Sequence, residues 1–261
     1  MTTTQPPAAE RSARAHSFNA AAAQYAAGRP SYPPALFDTI EETAGRSLSG
    51  ARVADVGAGT GIATALLHAR GADVLAIEPG EGMAAEFRRG NPDIPLLRAD
   101  GNALPLADAT TDFLTYAQAW HWTDTAHSVP EALRVLRPGG ALALWWNTDA
   151  FDIEWIARAA EREGRFFGFD PAERYAKAGE RLDLADPSGR LDFTRHKIRW
   201  SRRVTLDTHL ANIGSHSLFL VLDEPRRTAF LDAERGHLLE VFPDGVVEET
   251  YDVLLLVARK G

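Results

Sequence analysis

Val53-Ala54-Asp55-Val56-Gly57-Ala58-Gly59-Thr60-Gly61, with Ile62 to Ala69 and Val74-Leu75-Ala76-Ile77-Glu78 behind it, decides the fold of this chain. The first four residues are apolar apart from one acid and read as a buried strand. Glycine at every second position then makes a tight turn, and Ile62 to Ala69 reads as a helix stopped by Gly71. Val74 to Ile77 is the next strand, closed by Glu78. Such a turn after a first strand, with an acid about 20 residues on, is the nucleoside-binding arrangement of a doubly wound sheet. Bare backbone lets the ligand approach, and the carboxylate takes the ribose hydroxyls.

Two departures bear on which nucleoside. A dinucleotide fingerprint carries Gly or Ala at its last position, where this chain has Ile62. Asp55, just before the turn, repels a pyrophosphate but suits a ligand with an ammonium group and no phosphate, such as S-adenosylmethionine. Asp55 to Gly61 resembles motif I of the class I S-adenosylmethionine-dependent methyltransferases. A nicotinamide-dependent oxidoreductase and a non-catalytic S-adenosylmethionine-binding module are the competing readings.

Further along, Pro95 to Asp100 reads as a third strand ending in an acid, followed by Gly101-Asn102-Ala103-Leu104-Pro105. Asp100 there can accept from an adenine amine while neighbouring backbone N–H groups of Gly101 and Asn102 donate to the ring. The string resembles the Asp-Ala-x-x-Leu-Pro motif of the same enzymes, with Gly101 in place of the alanine. Asp112 to Ala117 is the fourth strand, and Gln118-Ala119-Trp120-His121-Trp122 follows at the strand edge where open α/β sheets bind ligands. Backbone at Gln118 and Ala119 is placed to meet the methionine portion of the ligand. The faces of Trp120 and Trp122 can hold a sulfonium, or serve as core anchors. His121 is the candidate general base, since it titrates near neutrality. A carboxylate acceptor needs no base; a hydroxyl, amine or carbon acid can.

Phe18…Tyr25…Arg29-Pro30…Tyr32-Pro33 and Gln-Ala-x-His-Trp both resemble a small-molecule subgroup that includes trans-aconitate methyltransferase-like proteins. The resemblance implies that Tyr25, Arg29 and Tyr32 lie over the methionine end or shape the acceptor pocket, and an arginine there can pair an acidic substrate. It implies Met83 on the adenine face and Ser215, His216 and Ser217 in a region closing over the acceptor, with Trp122 beside it. It also implies a Rossmann-like three-layer α/β sandwich with a seven-stranded, mostly parallel sheet, order 3-2-1-4-5-7-6, strand 7 antiparallel.

The remaining elements fit that plan. A helix to about Arg137 precedes Pro138-Gly139-Gly140 and a fifth strand, Ala141 to Asn147; Leu191 to Trp200 and Tyr251 to Val257 are the sixth and seventh, with a hairpin-like turn at Asp244-Gly245. Residues 1–14 read as a disordered tail, 15–261 as one domain with N-terminal helices over 15–45 and a cap at about 151–190 plus 205–222.

Composition narrows the partners. A net charge of −8 with no dense basic patch argues against nucleic acid, and the absence of cysteine removes disulfides, thiolate nucleophiles and Cys-based metal sites. Eight dispersed histidines form no ligand spacing, so no metal is expected. Apolar runs such as Ala141 to Trp146 are strand length, far below the ~20 residues of a membrane span, and no secretory signal precedes them. The reading is a cytoplasmic enzyme that transfers a methyl group from S-adenosylmethionine to a small-molecule acceptor of the carboxylic-acid or specialised-metabolite class, Arg29 favouring the acid; the acceptor's identity and the oligomeric state are not legible.

Overall fold

The computed structural model describes residues 22, 28–170 and 185–261. The expected tail, nearly all of the expected Phe18–Ala27 helix, Tyr25 and the middle of the cap lie outside the described residues.

Seven strands form one sheet: β1 Arg52–Val56, β2 Asp73–Ile77, β3 Leu96–Leu97, β4 Thr111–Ala117, β5 Leu136–Asp149, β6 Phe193–Thr205 and β7 Val246–Arg259. Their order is 3-2-1-4-5-7-6, with β7 antiparallel to both neighbours and the other pairings parallel. Helices α1 Pro34–Ala44, α2 Ile62–Ala69, α3 Glu81–Gly90 and α4 Thr125–Val135 connect the parallel strands or precede them. After β5 come α5 Glu154–Phe167, and after β6 come α6 Leu206–Gly214, α7 Ser217–Leu220 and α8 Glu224–Val241.

The period-two alternation of the strands sorts side chains into two cores. Ala141, Ala143 and Trp145 of β5 face one core with Leu36, Phe37 and Ile40 of α1, Leu67 of α2 and Phe87 of α3. Leu142, Leu144 and Trp146 face the other, with Val129, Ala132 and Val135 of α4. α1 begins on Pro34 at its first position and ends on Gly45 in the left-handed region, so both boundaries follow from residue type. A third cluster, Leu206, Leu210, Leu238 and Val247, with Trp155 packed against it, joins α6 and α8 to the β7 end of the sheet.

Several boundaries differ from expectation, with β6 running on to Thr205 and β7 starting at Val246. β3 has two residues rather than running to Asp100, because β2 ends at Ile77 and Glu78 N–H donates to Leu97 O, beyond which the strand has no partner to pair with. α4 stops at Val135 and β5 starts at Leu136, since Pro138 drives the preceding residue out of helical backbone and Leu136 is already extended. Asp244-Gly245 leads out of α8 into β7 and is no hairpin, because β6 and β7 are joined through three helices.

Candidate active site

The turn between β1 and α2 is held by backbone bonds and by close packing. Gly57 and Ala58 N–H groups donate to Ile77 O at 2.8 and 3.1 Å, tying the turn to the end of β2. Gly57 is left-handed at φ 68°, and a Cβ there would stand 2.5 Å from Ala119 Cβ, so the glycine is what lets the turn approach the chain leaving β4. Gly59, at φ 58°, has nothing within 4 Å of its notional Cβ and faces open space. Thr60 is buried, and its Oγ1 has no partner among the described residues. A buried hydroxyl without a partner next to an open cradle is the mark of a polar ligand site.

Two carboxylates flank the turn. Glu78 Oε2 accepts from Gly59 N–H at 2.8 Å and Oε1 from Gly80 N–H at 2.7 Å. Burial pushes its carboxyl above the ordinary value, against those two amides. Each oxygen keeps a second lone pair, the requirement for taking a pair of ribose hydroxyls. Asp55 is different. It is fully buried, with Oδ2 accepting from Thr64 Oγ1 at 2.5 Å and Oδ1 from Thr115 Oγ1 at 2.8 Å. Burial pushes its pKa to about 6, opposed by those hydroxyls and helped by the charge of Glu78. Asp55 therefore does not reach out as a direct ligand of an ammonium group; it fastens α2 and β4 under the turn.

On the far side of the cleft, Asp100 is exposed and Oδ1 accepts from Asn102 N–H, an Asx turn that aims the loop. Asn102 Oδ1 in turn accepts from Asp124 N–H, and Gly101 is packed against Val56, Tyr116 and Thr123. Met83 is buried on the inner face of α3 with Ala84 and Phe87.

Where β4 ends, Gln118 has φ 58°, an uncommon backbone for a side-chain-bearing residue, and its N–H donates to Trp145 O. A strained residue at the carboxyl edge of a central strand, against the glycine turn, marks a site rather than a connection. Trp120 requires a correction. Its ring packs edge-on to Tyr116 at 4.7 Å in the second core, and its indole N–H donates to Ala185 O at 2.9 Å. A ring that is 3% exposed and held at both ends anchors the core and has no face for a sulfonium. Trp122 is half-buried and lies beside the imidazole of His121, centroids 4.7 Å apart. His121 Nδ1 accepts from Trp146 indole N–H at 3.2 Å. An indole can only donate, so the neutral ring carries its proton on Nε2 and is arranged as a donor, contrary to its expected role as base.

The amino-terminal segment meets the loop after α6 through backbone carbonyls. Arg29 Nη2 donates to Ser215 O at 3.1 Å, and Arg202 donates to the carbonyls of Gly28 and Arg29. Ser215 is fully buried with its hydroxyl turned to Asn212 O, which makes it a helix terminator rather than a substrate group. His216 caps α7 and Ser217 begins it. Tyr32 sits edge-on to Trp145 at 5.7 Å. Arg29 and Ser215 thus converge, while Tyr32 packs toward β5.

Some of the arrangement left no local trace: Thr115 on Asp55, Trp146 on His121, and a buried set of His209, Asn212, Glu249 and Tyr251 between α6 and β7. Among the described residues no helix is long and apolar enough to cross a membrane.

Comparison with known proteins bears on this arrangement. A family model described as a methyltransferase domain matches residues 54–144, from β1 into β5. An uncharacterized methyltransferase of Mycobacterium tuberculosis is 37% identical over 227 residues, 87% of each chain. A solved structure of a candidate type II methyltransferase from Anaeromyxobacter dehalogenans superposes with a TM-score of 0.66 at 24% identity, covering 88% of this chain and 97% of that one. The phosphoethanolamine N-methyltransferase 2 of Haemonchus contortus, solved with phosphomonomethylethanolamine and S-adenosylhomocysteine, superposes with a TM-score of 0.53 at 12% identity over 93% of this chain and 57% of that one.

Proposed function

Because the chain belongs to the class I S-adenosylmethionine-dependent methyltransferases, we propose that it moves a methyl group from S-adenosylmethionine to a small organic acceptor. Membership of that family sets aside the nicotinamide reading. The observation that carries the donor assignment is the cradle itself: open space above Gly59, the unpartnered Thr60 hydroxyl, and Glu78 holding the Gly59 amide with lone pairs to spare.

In this reading Glu78 takes the ribose, and Met83 with the Asp100–Asn102 loop takes the adenine. The backbone of Gly57 to Thr60 and of Gln118 and Ala119, with Arg29 above, encloses the methionine end. The donor supplies a methyl group on an already activated sulfonium. What remains for the protein is to align the acceptor with that carbon and to keep water out. His121, as an Nε2–H donor, orients the donor or acceptor by a hydrogen bond.

Calorimetry with S-adenosylhomocysteine tests the cradle: micromolar binding with one site per chain is expected, and no binding overturns the assignment. A labelled-methyl screen over acids, phenols and amines then tests turnover.

A further inference from the structure

Residues 28–33 run as a short strap from the flank of α6 to the carboxyl end of β5. Gly28 lies against α6: a Cβ there would stand 3.0 Å from Asn212 N and 3.1 Å from the Ala211 carbonyl carbon, so even a methyl group presses on the helix backbone. Arg29 Nη2 donates to Ser215 O at the end of the same helix. Ser31 O accepts from Asn147 Nδ2 at 3.2 Å, and because Trp200 indole N–H donates to Asn147 Oδ1, the amide can only face that way. Tyr32 then sits edge-on to Trp145.

One side chain of β6 holds the start of the strap. Arg202 Nη2 donates to Gly28 O at 3.0 Å and Nη1 to Arg29 O at 3.2 Å, while Nε donates to Oε2 of Glu249, directly opposite on β7. Glu249 is 2% exposed and is fixed by two further donors, Tyr251 OH on Oε2 and His209 Nδ1 on Oε1. Burial pushes its carboxyl up, but His209 and Arg202 outweigh burial and hold the group below its ordinary value. A guanidinium whose inner nitrogen is pinned to a buried charge presents its outer two in a set plane, and here they meet two consecutive carbonyls.

The other end of the strap leads to the cradle. Tyr32 packs against the core cluster that contains both Trp145 and Ala58 of the glycine turn. Trp145 O accepts from Gln118 N–H at 2.8 Å, holding that residue at φ 58°, and the next residue, Ala119, is the one that Gly57 closes on. Resting on the reading of this cleft as the donor site, we propose that Arg202, set by Glu249, is a positioning residue for donor binding. It seats the strap on α6, and the strap seats Trp145 and Gln118 against the glycine turn. Loosening that seat weakens the hold on the donor without touching any group that faces the methyl carbon.

The test compares Arg202→Gln and Gly28→Ala with the parent, by calorimetry with S-adenosylhomocysteine and by amide hydrogen exchange without it. Arg202→Gln removes the fork, whereas Gly28→Ala keeps every charge and lifts the strap from the helix side. Both are expected to bind S-adenosylhomocysteine at least tenfold weaker. In both, the Gln118 amide is expected to exchange at least tenfold faster while the amides of β2 stay within twofold. The double variant should bind no more than twofold weaker than the poorer single one, because both changes act on one seat. With an acceptor found by screening, KM for S-adenosylmethionine should rise in Arg202→Gln while kcat stays within threefold. Affinity within twofold of the parent in both variants, or a Gln118 amide that exchanges at the parental rate in both, overturns the proposal. If Arg202→Gln does not fold, Gly28→Ala, which leaves the buried Glu249 paired, decides it alone. Failure of the parent to bind S-adenosylhomocysteine overturns the donor reading alone, since the exchange measurement needs no ligand.

Discussion

Replacing Gly59 with alanine separates a ligand cradle from a merely tight turn. The added Cβ meets nothing within 4 Å, so the folded chain loses only the left-handed preference at φ 58°, about 1–2 kcal/mol. For a domain of this size that is roughly 2–4 °C of melting temperature per kcal/mol. If the space above Gly59 belongs to the donor, the same methyl group displaces it. S-adenosylhomocysteine should then bind about tenfold weaker or worse, ~1.4 kcal/mol or more. Gly57→Ala is the internal contrast. Its Cβ would stand 2.5 Å from that of Ala119, so overpacking of about 1–3 kcal/mol adds to the backbone cost and the melting temperature falls further. Thermal melts and calorimetry on both variants decide the matter. A Gly59→Ala protein that binds S-adenosylhomocysteine within twofold of the parent refutes the cradle.

Three further outcomes are expected. Asp55 has its pKa raised from 3.8 to about 6 in the fold; between about pH 4 and 6 the native state holds more protons than the unfolded one, so its contribution to stability falls as pH rises, by about 3 kcal/mol in all, and stays lost above 6. Asp55→Asn, which keeps both threonine contacts, should gain about that much relative to the parent across this window in denaturant titrations of the ligand-free protein, and parallel pH curves would contradict it. Glu78→Gln can accept fully from only one of Gly59 and Gly80, and calorimetry should show S-adenosylhomocysteine affinity down about 10- to 100-fold from the loss of charged hydrogen bonds. His121→Ala should keep the methyl-transfer rate within a few-fold and cost about 1 kcal/mol of stability from the bond to Trp146; a 1,000-fold rate loss would restore it as the base.

Much of the fold was legible because its signals are local. Alternation along β4 and β5, glycines at 57, 59 and 61, and Asp124 before a helix each declare backbone state within a few residues, and the strand order followed from the family that those motifs resemble. What the motifs did not declare was orientation. Trp120 and Trp122 look alike in the sequence, yet one is bolted between Tyr116 and Ala185 while the other lies against His121. Asp55 sits where the motif puts it, but its oxygens are taken by Thr64, nine residues on, and Thr115, sixty residues on.

From the sequence alone came the doubly wound architecture and the expectation of methyl transfer, with an expected place for the donor, because those depend on turns and strands whose chemistry is written in neighbouring residues. Only the tertiary structure decided which groups work together: His121 is made a donor by Trp146, Arg29 is drawn to Ser215, and His209 meets Glu249 forty positions away. Hydrogen-bond direction and burial arise from contacts between distant segments, and a side chain's type carries no mark of the partner that folding brings to it.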